Sequence, residues 1–344
     1  MMEYSALNAK IKAMRGKLLT ASDYERLCHS PSVEYMARAL SEYPAYQSAM
    51  SQTLNQEIHR DIVEQKILLS LPDDLVSIYH FINVFNIRKY MKAFFLNFDL
   101  NIIKLLLCMV YDERDICYSV PELNLLIGKE LKIDSSKLKA SKNTAEFIQN
   151  LQGTDFYGML TKALTSHSSL FEIETQLDLY YYMNLWKQQR RFLDKANFIV
   201  MERINGTEID LRNIMWVYRL KKYYNLNDAR IYAYLIPIGY RLKRTELIRM
   251  IQCPTINELS AEIQNSPYGP VFGDLSNLER SYYRQMSRLY NNASIYHPKS
   301  LAYAAGFVFF KGLELRNLTS LLEGVRYKLK PKDIMSYLPI EAEA

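Results

Sequence analysis

The chain has 344 residues, 49% of them hydrophobic and 23% charged, with a formal net charge of +6; it is long enough for two or three buried cores and too apolar to be disordered. Its 11 Gly and 11 Pro are few for this length, which excludes a fold built on many tight turns and favours long helices. Cys28, Cys108, Cys117 and Cys253 form no CxxC pair and lie beside no His at metal spacing, so neither a disulfide framework nor a zinc site is expected, and the expected setting is reducing and cytosolic.

In chain order, the opening "MMEYSALNAKIKAMRGKLL" is amphipathic and lacks the continuous apolar core of a signal peptide. In "LNQEIHRDIVEQKILLSL" the residues Leu54, Ile58 and Ile62 recur at spacing four with charged residues between them, the mark of a helix with one buried face. "IETQLDLYYYMNLWKQQRRFLDKANFIVMERI" continues the same period, with Ile173, Leu177, Tyr181 and Leu185 on one stripe. "LERSYYRQMSRLY" places Leu278, Tyr282, Met286 and Leu289 together. The polar stretches after Leu131 and after Asn291 read as loops. The longest apolar run, "LAYAAGFVFF" from Leu301, has ten residues, half of what a membrane-spanning helix needs. Alternation of period two is absent, so the fold class is all-α.

Three stretches repeat. Tyr46, Tyr157 and Tyr268 each follow a small-residue or Pro kink and are evenly spaced along the chain. A second marker keeps that interval, since it also separates Asp99 in "FDLNIIKLLL" from Asp210 in "IDLRNIMWVY", and Glu314 in "LELRNLTSLL" follows at a slightly shorter one. The chain therefore divides into three copies of one helical unit, 1–115, 116–226 and 227–344. Each is read as a short helical half ending near its Tyr, a long helix, a break, and then the helix with the acid. In "NGTEIDLRN", Thr207 and Asp210 fit a capping box at the start of that last helix, and Asn213 shares a face with Asp210. Asn317 holds the same place after Glu314. Copy one departs, with Ile102 where the other two have Asn. Because a packing solution recurs along a chain more readily than a catalytic site, these residues are read as structural markers.

No chemistry-bearing motif stands against that reading. HExxH, GxSxG, GxGxxG and the phosphate-binding GxxxxGK[ST] are missing, and "SKLK" at Ser136 to Lys139 matches SxxK only in a polar loop. No catalytic residue, metal or cofactor is expected. The charge distribution says more, because residues 212–249 carry nine Lys/Arg against Asp228 and Glu246, with six tyrosines interleaved. Lys221, Lys222, Arg241, Lys243 and Arg244 are the candidate partner surface, suited to an acidic protein, anionic headgroups or, as an alternative, RNA on a helical-repeat scaffold.

The opening "YSALNAKIKAMRGKLLTASDYERL", the three [DE]LxxN or near-[DE]LxxN helices and the close "ELRNLTSLLEGVRYKLKPKDIMSYL" resemble the C subunit of archaeal and bacterial A/V-type ATPases, whose eukaryotic counterpart is the d subunit of the vacuolar ATPase. The resemblance spans essentially the whole chain. It implies three similar helical lobes related by pseudo-threefold symmetry and arranged as a funnel. It implies a non-catalytic adaptor between the central shaft subunits of D/F type and the membrane rotor ring of c/K type, carrying torque between ATP chemistry and H⁺ or Na⁺ movement. It further implies a cytoplasmic position on the inner face of the membrane, with peripheral contact to the membrane surface, no cofactor, no small-molecule substrate and no nucleic acid.

Overall fold

The computed structural model describes residues 4–51, 60–68, 70–112, 135–166, 168–224, 226–273 and 275–339, which contain helices and turns and no strand. The chain folds into two compact units, one formed by residues 1–83, 115–126 and 303–344 and the other by 84–114 and 127–302. This partition does not follow the division at 115/116 and 226/227 read from the repeats.

The first unit begins with α1 (Ser5–Arg15), α2 (Ala21–Cys28) and α3 (Val33–Leu40). A full capping box starts α2, because the Thr20 side chain accepts from the Asp23 amide while Asp23 reaches back to the Thr20 amide. The short α4 (Gln47–Ser51) leads toward α5 (Arg60–Leu68) and α6 (Ser70–His80). Leu54 and Ile58 of the first predicted stripe lie outside the described residues.

The second unit opens with α7 (Phe85–Tyr111), whose 27 residues are long and apolar enough to cross a membrane by composition. It is a core helix instead. Ile87, Tyr90, Phe94, Phe95, Ile103, Leu106 and Leu107 are buried within the unit, Asp99 sits in the middle, and Lys104 pairs with Asp178 of the neighbouring helix. The sequence hides this helix as a candidate span because Asp99, Asn101 and Lys104 interrupt its apolar runs. Short helices α8 (Ser135–Lys139), α9 (Thr144–Gln149) and α10 (Tyr157–Thr165) follow, where the sequence suggested a loop after Leu131.

The helical period that continues over some thirty residues from Ile173 runs through two helices. A Ser169/Glu172 capping box starts α11 (Leu170–Phe192), and Asp194 caps α12 (Lys195–Arg219) by accepting from the Asn197 amide. Ile173, Leu177, Tyr181 and Leu185 are all buried, as the stripe requires. A π-helical turn, Leu220–Tyr224, ends α12; α13 (Asp228–Ala233), α14 (Arg244–Gln252), α15 (Ile256–Gln264) and α16 (Leu278–Tyr296) complete the unit. Helix α16 buries Leu278, Tyr282, Met286 and Leu289 and runs through most of the stretch read as a loop after Asn291.

Helix α17 (Ala302–Arg326) and α18 (Pro331–Tyr337) return to the first unit. They pack closely at Gly324, where a Cβ would fall 2.7 Å from Ile334. Arg60 ties α5 to α17 through Glu323 at 2.6 Å. A break precedes each acid-bearing helix, at 81–84, 193–194 and 297–301, but Asp99, Asp210 and Glu314 lie well inside α7, α12 and α17 and not at their starts.

Candidate functional site

The residues Asn205 to Asn213 occupy the buried middle of α12, so Thr207 and Asp210 do not form a capping box; the helix starts well before them, at the Asp194 cap. Their polar groups serve tertiary contacts instead. Asn205 Nδ2 donates to the Tyr90 hydroxyl at 2.9 Å and to Gln189 Oε1 at 2.8 Å. Gly206 leaves room for the Tyr240 ring, whose Cγ would lie 2.4 Å from a Cβ. Thr207 contributes a hydrogen bond to the Tyr268 hydroxyl.

Asp210 is 0% exposed and is filled by donors. Its carboxylate accepts from the backbone N–H groups of Tyr240 (3.1 Å), Arg241 (2.7 Å) and Leu242 (2.9 Å) and from the Tyr268 hydroxyl at 2.8 Å. One turn later Asn213 brackets Ile236, donating to its carbonyl at 3.0 Å and accepting from its N–H at 2.9 Å. Together they clamp the segment 236–242, which has no regular secondary structure of its own to satisfy those amides. Burial pushes the Asp210 carboxyl up, and the four donors offset part of that rise.

The same device recurs in the first unit. Glu314, 3% exposed, accepts from the Leu19 N–H at 2.5 Å, the Tyr46 hydroxyl at 2.5 Å and the Lys311 ammonium at 2.7 Å. Lys311 also reaches the Tyr46 hydroxyl at 2.8 Å. Leu19 and Leu242 are equivalent, since each ends a Gly-x-x-Leu string, Gly16–Leu19 and Gly239–Leu242. The sequence contains further such strings at Gly312–Leu315, inside α17, and at Gly128–Leu131, the latter midway between the first two and outside the described residues. That even spacing is the legible signal for the amide side of the clamp. Asn317 is buried beside the Tyr24 hydroxyl, and its Oδ1 has no hydrogen-bond partner among the described residues.

In the remaining copy no such clamp is formed among the described residues. Asp99 is 5% exposed, and no hydrogen bond reaches it among the described residues. Burial alone pushes its carboxyl up to about 7. The predicted marker Tyr157 is half-exposed and donates to Gln149 at 2.8 Å. The residue holding the Tyr46 and Tyr268 place is Phe156. Its carbonyl accepts from Leu160 four residues on, as Tyr46 accepts from Met50 and Tyr268 from Phe272. Phe156 is fully buried and has no hydroxyl to offer. Spacing alone puts the marker one residue late.

The five basic residues do not form one cluster of like character. Lys221 is committed, donating to the Cys253 carbonyl at 2.8 Å with Asp228 at 3.7 Å. Lys222 is exposed over the Tyr218 and Tyr223 rings, and Arg244 is exposed over the Tyr232 ring. Arg241 and Lys243 expose their side chains while their amides bond Asp210 and Glu246. Of the interleaved tyrosines, Tyr218 and Tyr234 are core, whereas Tyr223 and Tyr224 are 67% and 59% exposed.

A network that sequence reasoning missed lies behind α12. Glu208 pairs with Arg212 at 3.0 Å and accepts from the Tyr182 and Tyr282 hydroxyls, both at 3.1 Å, while Arg212 donates to Tyr282 at 3.0 Å. Much of the tyrosine excess is thus core polar wiring.

Amphipathic helices tied together by internal carboxylates define an all-helical framework protein among the described residues. The chain belongs to the ATP synthase (C/AC39) subunit family, whose model matches residues 7–337. It is 25% identical to the A-type ATP synthase C subunit of Methanosphaera stadtmanae, covering 94% of this chain and 84% of that protein. It is 23% identical to the Methanocaldococcus jannaschii protein of the same name, covering 97% and 86%, and 25% identical to that of Methanosarcina mazei, covering 98% and 93%. The family is a structural, non-catalytic part of the rotary complex, and a member works through partners within that membrane-bound assembly.

Proposed function

We propose that this chain is the central-stalk adaptor of a rotary A/V-type ATPase, a socket that holds the base of the D/F-type shaft on the c/K-type membrane ring and passes torque between them. It sits peripherally on the cytoplasmic face. The observation that carries this reading is the repeated carboxylate clamp. Asp210 gathers three consecutive amides and a Tyr hydroxyl from segments 30 to 58 residues away, and Glu314 gathers Leu19 and Tyr46 from the other end of the chain. Such cross-ties resist shear between helices, which a torque-bearing part needs and a diffusing enzyme does not.

The clamps also support a three-lobe organisation shifted cyclically from the sequence division. In each tie an acid-bearing long helix closes on short helices that follow it, with α1–α6 taken to follow α17, and the third lobe is completed by α17 together with residues 1–83. We take the three lobes to form a funnel of pseudo-threefold symmetry. Lys222 and Arg244, with Arg241 and Lys243 nearby in sequence, are the basic residues open to an acidic partner surface.

Reconstitution tests the reading. Adding this protein to shaft and ring is expected to restore their attachment, and leaving it out to uncouple ATP hydrolysis from ion transport. Coupling that persists without it refutes the adaptor role. Reversing charge at Lys222 and Arg244 is expected to weaken attachment and to flatten its dependence on salt; attachment that is salt-insensitive in the parent removes the basic surface from the account.

A further inference from the structure

We propose that the first unit holds a binding pocket for a small phosphate-bearing solute. The pocket, about 360 Å³ in volume, is walled by α1, the α3–α4 connection, α5–α6 and α17, which puts it in the size range of small-ligand sites. Among the described residues four ammonium groups line it: Lys10 and Lys17 from α1 and the turn after it, Lys66 from α5 and Lys311 from α17. Lys311 is 1% exposed and is held from behind by Glu314 and Tyr46. A buried cation in the wall of a cavity, held by two buried partners, is costly to build, and hydrophobic packing alone does not require it. The corresponding positions in the other two copies, three residues before the acid, hold Leu96 and Thr207, so the Lys belongs to this unit and not to the repeat.

The other three lysines make no ion pair among the described residues; Lys10 stands over the Phe81 ring and Lys17 acts on Asp74 only at long range. Lys10 and Lys66 are half-buried and Lys17 is exposed, and their charge is left to be matched by a solute. Among the described residues the lining contains no Arg. Planar carboxylates are best gripped by the guanidinium fork, whereas point charges arriving from several elements suit a tetrahedral oxyanion. Asp73 and Asp74 complete the polar wall. Burial pushes the Asp74 carboxyl up, which softens its repulsion of an anion, and both groups can accept from a protonated phosphate or a neighbouring hydroxyl. Met14, Leu18, Ala49 and Phe307 supply an apolar side for the body of such a solute.

The test uses the full chain with pyrophosphate, inorganic phosphate and citrate as probes, followed by calorimetric titration and thermal shift. Pyrophosphate is expected to bind saturably in the millimolar range or tighter, and more weakly as salt rises. Lys10→Ala with Lys66→Ala is expected to weaken it about tenfold or more. Ala49→Phe, which narrows the pocket and leaves every charge in place, is expected to do the same. A double change at Lys222 and Arg244 in the other unit is expected to leave affinity unaltered. Absence of saturable binding, binding indifferent to both pocket variants, or citrate bound as tightly as pyrophosphate would each overturn the assignment.

Discussion

Replacing Asp99 with Asn is expected to stabilise the protein at alkaline pH and to do so less as the pH falls. In the folded chain the Asp99 carboxyl ionises near 7, against an ordinary value of 3.8. Below 3.8 the group is protonated whether the chain is folded or not, and it contributes no pH dependence. Between 3.8 and 7 the unfolded chain releases the proton and the folded chain keeps it, so stability falls as pH rises. Above 7 the folded chain carries the cost of an ionised, buried carboxylate, on the order of 4 kcal/mol. Asn has the same shape without the charge, but its buried amide needs partners and gives back about 1–3 kcal/mol. The difference between variant and parent is therefore expected to grow by roughly 2–3 kcal/mol from pH 5 to pH 8 in the variant's favour. Urea denaturation at both pH values, followed by circular dichroism, measures it. Parallel pH profiles for the two proteins would refute the reasoning. Phe156→Tyr gives an independent reading, because it restores the hydroxyl that the other two copies use. It should stabilise the parent at pH 8 and have less effect on the Asp99→Asn background, a coupling that a double-mutant cycle isolates.

Three further outcomes follow from the clamps. Asn213→Leu leaves the Ile236 N–H and carbonyl without partners and should cost on the order of 1–3 kcal/mol in chemical denaturation; an unchanged midpoint would mean the segment 236–242 is held by other contacts. Gly206→Ala drives a methyl into the Tyr240 ring and should cost about 1–3 kcal/mol, while Gly158→Ala, with nothing within 4 Å, serves as the neutral comparison in the same denaturation series. Glu314→Gln strips Lys311 of its charge partner and should destabilise by roughly 3–5 kcal/mol, with Lys311→Met on that background recovering part of the loss in thermal melts.

Much of the helical content is legible because burial imposes a 3.6-residue period, and the stripes at Ile173 to Leu185 and Leu278 to Leu289 bury as written. Helix joints are less so. The break at Leu193–Asp194 costs the apolar period nothing, so only the Asp194 cap marks it. Repetition finds the clamp acids, but their local pattern hides their job. Thr207 and Asp210 three residues apart satisfy a capping pattern, and only the approach of Tyr268 and the 240–242 amides tells a mid-helix tie from a helix start. Phe156 escapes sequence reasoning because a regular interval points to Tyr157, whereas the packing selects for depth of burial. In the basic segment, sequence alone does not separate Lys221, spent on Cys253, from Lys222 beside it.

That Glu314 reaches Leu19 and Tyr46 bears on how the chain is made. Residues 84–302 contain the whole of the second unit, which can close while the ribosome is still at work. Residues 1–83 cannot. Their acid anchor and part of their packing surface arrive only with residues 303–344, and loop closure over that distance is slow. These helices must wait with apolar faces exposed, so residues 1–83 are the part most open to aggregation or chaperone capture during synthesis. A circular permutant opened between Asn83 and Val84, with the old ends joined, would place α17, α18 and α1–α6 in continuous sequence. It should refold faster and need less chaperone help than the natural order.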